Sequence, residues 1–67
     1  MIYYVIKLGD VYFDHISEDI MTFAHKSTGV TQYHGKLDAL EKINYIEDTT
    51  GVSCRLVRVY GKERNNR

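Results

Sequence analysis

Ile2 to Leu8 is a run of β-branched and aromatic residues, and Val11 to Ile16 is another, with only Gly9-Asp10 between them. Glycine at the first central position of a two-residue loop is the signature of a type II′ hairpin, so the two runs are expected to be paired antiparallel strands. That turn sets a register in which Leu8 faces Val11, Ile6 faces Phe13 and Tyr4 faces His15. Side chains alternate along a strand, so Ile2, Tyr4, Ile6, Leu8, Val11 and Phe13 make the expected core face. The opposite face carries Tyr3, Val5, Lys7, Tyr12, Asp14 and Ile16, a mixture of apolar and charged groups.

Ser17-Glu18-Asp19 interrupts this alternation with solvated residues. Ile20 to Ala24 reads either as a third short strand or as an irregular connection, and Val30-Thr31-Gln32-Tyr33 again has strand character beyond the Ser27-Thr28-Gly29 turn. Residues 20–33 are therefore a candidate second short hairpin. From Lys36 to Asp48 the period changes: Leu37, Leu40, Ile43 and Ile46 recur every three residues, with Ala39 and Tyr45 widening the stripe. That spacing predicts a helix, with Lys42 and Glu47 on its solvent side. Asp38 and Glu41 favour the positive end of its dipole, and Gly51 supplies a residue able to take φ > 0 just past its end. Val52 to Tyr60 reads as a C-terminal strand, which the helix is long enough to return to the sheet. The fold class expected is α+β: a small antiparallel sheet with one helix, a single domain over residues 1–61 and a polar tail over 62–67.

With 67 residues, there is room for one hydrophobic core, because a chain of this length buries only roughly 60% of the surface its unfolded form exposes. Cys54 is the single cysteine, so no intrachain disulfide can support it, and a lone thiol fits a reducing cytoplasm. The apolar start, Met1 to Ile6, has no charged leader or small-residue cleavage site and is expected to be a strand rather than a signal peptide. No run approaches the about 18 apolar residues that a membrane-spanning helix needs.

Lys plus Arg and Asp plus Glu each number nine, so the formal net charge is zero. This argues against a dedicated DNA-backbone binder and against an acidic mimic of DNA. The charges are segregated, however. Asp10, Asp14, Glu18 and Asp19 lie close together near the start, whereas Arg55, Arg58, Lys62, Arg64 and Arg67 stand against Glu63 alone at the end. The basic set is the candidate nucleic-acid contact, carried by Arg55, Arg58, Lys62 and Arg64.

Catalytic and cofactor chemistries find little support. His15, His25, His34 and Cys54 are possible metal donors, but no two share a ligand spacing on the helix or in a short knuckle, so no metal is expected. Cys54 lies among Val52, Leu56 and Val57, the surroundings of a small buried hydrophobe rather than of an activated thiolate. Paired carboxylates such as Asp10 and Asp14 belong to turns and loops. The five glycines never cluster, which excludes a glycine-rich phosphate loop and makes nucleotide-dependent catalysis and a cofactor unexpected.

The six tyrosines carry more information, because tyrosine supplies stiff, extensive contact area at recognition surfaces. Tyr3 and Tyr12, with Val5, Lys7 and Ile16, lie on the face of the hairpin that a single helix leaves open. Such a face serves a protein partner, a homodimer or the stacking of bases. The alternative is that side chains of the last strand, Arg55 among them, shelter it.

The pattern Tyr4-Val5-Ile6-Lys7-Leu8-Gly9-Asp10-Val11-Tyr12-Phe13, then Lys36-Leu37-Asp38-Ala39-Leu40-Glu41-Lys42-Ile43 and Leu56-Val57-Arg58-Val59, resembles small uncharacterised proteins of phages and prophages of Gram-positive bacteria. The shared motifs are structural, and the segment from Ser17 to His34 departs from them, so no functional residue is carried over. The resemblance implies an accessory protein that binds and modulates or inhibits a host or bacterial-defence protein in the host cytoplasm. The residue reading points the same way: a non-enzymatic binding protein using Tyr3, Val5, Lys7, Tyr12 and Ile16, with nucleic-acid binding through the basic C-terminal strand and tail as the alternative.

Overall fold

The computed structural model describes residues 2–60. Strand β1 (Ile2–Leu8) turns through Gly9-Asp10 into β2 (Val11–Ser17), β3 follows at Ile20–Ala24, helix α1 spans Lys36–Thr50, and β4 (Arg55–Tyr60) closes the chain. The strands form one antiparallel sheet in the order β3-β2-β1-β4. This is the α+β architecture that the alternating and three-residue patterns require.

Gly9 has φ of 56°, the positive value that the first central residue of a type II′ turn demands. Leu8 faces Val11 and Lys7 faces Tyr12, as the turn dictates. Further from the turn the hairpin departs from the expected register. Tyr4 pairs not with His15 but with Tyr33, through two backbone hydrogen bonds of 2.8 and 2.9 Å. The segment from Val30 to Tyr33 is thus a single bridge alongside the first half of β1, not a strand of a second hairpin. Thr31 ties the same segment to β2 by donating its hydroxyl proton to the carbonyl of Asp14.

The second hairpin exists, but its strands are β2 and β3. Glu18 and Asp19, with φ of 52° and 65°, form its two-residue loop between the paired Ser17 and Ile20. Positive φ at both central residues is the geometry of a type I′ turn, which follows strand twist and which Asp tolerates better than most residues.

A β-bulge at Asp14 changes which side chains reach the core. Phe13 pairs with Phe23 and His15 with Thr22, so the ladder slips by one residue between them. Beyond the bulge the alternation is inverted. His15 is exposed, and Ile16 packs with Met21 and Phe23 against the central cluster of Ile6, Leu8, Phe13, Ile43 and Ile46. Phe13 and Phe23 meet edge to face with ring centroids 5.9 Å apart, a favoured geometry for aromatic pairs.

Helix α1 lies across β1 and β4. Its buried residues are Ala39, Ile43 and Ile46, at spacings of four and three. Leu37 is 74% exposed and Leu40 lies at the margin, which corrects the expected stripe. At 3.6 residues per turn Leu37 sits roughly 120° round the helix from Ile43, while Ala39 is nearly in line with it, and the small Ala39 side chain lets the helix approach the sheet. Gly51, φ 76°, ends the helix in the left-handed conformation and donates its N–H to the Glu47 carbonyl at 2.8 Å. Thr50 returns its hydroxyl to the Ile46 carbonyl at 2.8 Å. Complete burial of Phe13, Ile6, Ile46 and Val5 is worth about 1.5–3 kcal/mol each as area removed from water, the largest favourable contributions here.

Candidate functional site

β1 and β4 are paired along their length, and the register decides what the helix-free face presents. Tyr3 opposes Val59, Val5 opposes Val57, and Lys7 opposes Arg55. Directly opposed residues point to the same side of a sheet, so these six side chains share one face with Tyr12, the partner of Lys7 on the other flank. The open face is therefore aromatic and basic at one end and aliphatic in the middle.

Five residues were expected to form the partner surface, and two of them do not. Val5, on an inner strand and opposite Val57, has no exposed surface. Ile16 is removed by the Asp14 bulge, which rotates it to the helix side. Tyr3, Lys7 and Tyr12 remain partly exposed on the open face. The Lys7 ammonium stands 5.6 Å from the centre of the Tyr12 ring, within cation–π range.

Of the basic residues proposed for nucleic acid, the two within the described residues lie on opposite faces of the sheet. Arg55 is on the open face, whereas Arg58, opposite Tyr4, is on the other side of the sheet, its guanidinium 5.7 Å from the Tyr60 ring. Lys62 and Arg64 lie outside the described residues, as do Arg67 and the rest of the expected tail. Among the tyrosines, Tyr33 packs on the core with its pKa raised by burial, while Tyr45 is exposed with Lys42 over its ring at 5.6 Å.

An open cavity of about 280 Å³ lies where β1 and β4 run toward their turns, lined by Lys7, Gly9, Ser53, Cys54 and Arg55. The Cys54 thiol is pushed above its ordinary pKa, first by burial and then by the Glu47 carboxylate. Glu47, expected to face solvent, instead accepts the Cys54 backbone N–H at 2.8 Å through Oε2. A nucleophilic cysteine needs the reverse environment, a cation or helix N-terminus that lowers its pKa, so the setting of Cys54 favours the inert thiol. His15 pairs its Nδ1 with Asp14 at 3.3 Å on the exposed side of β2, and no group of three or more His, Cys, Asp or Glu side chains gathers around a metal position among the described residues.

The polar lining of the cavity was not foreseen as a unit. Its only signal in the sequence is the distance of Lys7 and Arg55 from their turns, which becomes informative once β4 is known to lie beside β1. No helix among the described residues is long and apolar enough to cross a membrane. Comparison with protein-family models, curated proteins and solved structures finds no match for this chain.

Proposed function

We propose that this chain is a non-enzymatic interaction protein of the phage and prophage accessory type, which binds and modulates a host or bacterial-defence protein through its helix-free sheet face. The observation that supports this reading most is the placement of Tyr3, Tyr12, Lys7 and Arg55 together on that face, partly or fully exposed. Tyrosine and arginine are the residues that most often dominate binding energy at interfaces, and the two cations select a partner with an acidic surface. Pairing of two copies through the same face is the homodimeric form of this reading.

The test is capture from nuclease-treated host lysate by the tagged protein, beside a Tyr3→Ser/Tyr12→Ser variant whose far-UV circular dichroism matches the parent. The expected result is a stoichiometric protein retained by the parent and lost from the variant. Equal retention by both removes this face as the binding surface.

A second reading, binding of single-stranded nucleic acid, is favoured by the same neighbourhood of cations and tyrosine rings, since bases stack on aromatic side chains beside a basic groove. It predicts an affinity that falls steeply with added salt, whereas a flat salt response disposes of it.

A further inference from the structure

We propose that the cavity at the Lys7–Arg55 end of the β1–β4 pair is a binding site for a small oxyanion of the phosphate class, held by Lys7 and Arg55. This inference is separate from protein docking on the open face and stands whether or not a macromolecule binds there.

Lys7 and Arg55 are directly opposed across the β1–β4 ladder, and both line the cavity. Like charges in that relation destabilise a sheet. Among the described residues the only contact of this kind joins His15 to Asp14, so none of their carboxylates lies within ion-pairing distance of these two cations. Of the nearby acids, Glu47 accepts the Cys54 N–H and keeps its charge on the Cys54 side of the cavity, and Asp10 occupies the exposed turn beyond Gly9. Departures from local stability rules of this kind are expected where a site has a use.

An anion between the two side chains converts repulsion into attraction. The guanidinium offers two parallel N–H donors, the ammonium a mobile point charge, and Ser53, which also lines the cavity, a hydroxyl donor. The Lys7 ammonium rests over the Tyr12 ring on the β2 flank, and its flexible stem lets it swing across to an anion beside Arg55. A volume of about 280 Å³ lies just below the range of about 300–1,000 Å³ usual for drug-sized ligands, which suits one oxyanion with its water better than a large organic molecule. Phosphate fits better than a carboxylate because its several oxygens, tetrahedrally arranged and more highly charged, can serve both cations and the hydroxyl at once.

The test is a titration of the full ¹⁵N-labelled chain with inorganic phosphate at constant ionic strength, read by amide chemical shifts. Saturable shifts are expected at Gly9, Ser53, Cys54 and Arg55, with half-saturation roughly in the millimolar range. Lys7→Gln and Arg55→Gln should each weaken binding at least about tenfold, while Lys7→Arg and the charge control Arg58→Gln should retain it. Spectra of the Gln variants that match the parent away from the cavity establish that they are folded. A parallel titration with glycerol 3-phosphate distinguishes a free ion from a phosphorylated ligand: tighter binding of either assigns the source within the same site. Shifts that never saturate, or that are equal in parent and both Gln variants, would overturn the proposal, and so would acetate binding as tightly as phosphate.

Discussion

Replacing Ile16 by Ala separates two accounts of the second strand. Uninterrupted alternation from Phe13 would put Ile16 on the open face, where its loss changes stability by no more than about 0.5 kcal/mol. The slip between Phe13 and His15 puts it on the core side, partly buried against the cluster of Ile6, Leu8, Phe13, Ile43 and Ile46. Truncating a fully buried Ile to Ala costs about 2–5 kcal/mol, so a partly buried one should cost about 1–2 kcal/mol. In a domain of this size that corresponds to a fall in Tm of roughly 4–15 °C. Ile20→Ala is the internal control, because Ile20 has the same side chain in the same hairpin but is 65% exposed. Urea unfolding followed by circular dichroism should lower the midpoint for Ile16→Ala at unchanged slope and leave Ile20→Ala near the parent. Equal midpoints for the two variants would refute the inverted alternation and return Ile16 to the candidate partner surface.

Two further outcomes follow from the helix end and the titratable groups. Gly51→Ala should destabilise by about 1–2 kcal/mol, the cost of holding an L-residue in the left-handed conformation; with nothing within 4 Å of the added methyl, a loss much larger than this in urea unfolding would refute that account. Cys54 and Tyr33 both have raised pKa values in the folded chain, so folding favours their neutral forms. Their effect is fully favourable below the ordinary values of 9.0 and 10.0 and is lost as pH rises through the folded-state values. Unfolding midpoints should therefore show no loss from these groups up to about pH 9 and then decline. A Cys54→Ser/Tyr33→Phe variant should decline less, and an identical decline would sink the assignment.

The first hairpin, the helix and the last strand were legible because their signals are local, whereas Ile20–Ala24 stood open between a strand and an irregular connection and the strand-like Val30–Tyr33 forms only an isolated bridge. Gly9-Asp10 between two β-rich runs fixed the first turn, and Gly51 fixed the helix end. What escaped depends on backbone choices that several residues share. Glu18 and Asp19 have the polarity of any loop, and their positive φ arises because Ser17 and Ile20 are paired by the rest of the β2–β3 ladder. The bulge at Asp14 is equally silent in the pattern, since Asp14-His15-Ile16 alternates plausibly in either phase. The helix stripe was misplaced for a different reason. Leucine weighs heavily in a hydrophobic period, but close packing on the sheet favoured the smaller Ala39, leaving Leu37 in solvent.

The candidate site was legible only in its parts. Tyr3, Lys7 and Tyr12 were placed on the open face by the hairpin alone, and Arg55 was known to be basic and near a strand start. Their conjunction needs the β1–β4 register, a long-range fact that no turn dictates. That register also explains why one end of the face can be chemically different from its middle. A central position such as Val5 has no exposed surface and must be apolar, since a buried charge without a partner costs several kcal/mol. At the Lys7–Arg55 end the sheet borders an open cavity, and the two basic residues stand directly opposed there. A sequence selected for stability alone could relieve that repulsion with one Lys7→Glu change, making a cross-strand ion pair with Arg55. That substitution is accordingly informative: it should raise or preserve stability while abolishing the phosphate-induced shifts, whereas a parent and variant that respond alike would leave the opposed cations without a function in anion binding.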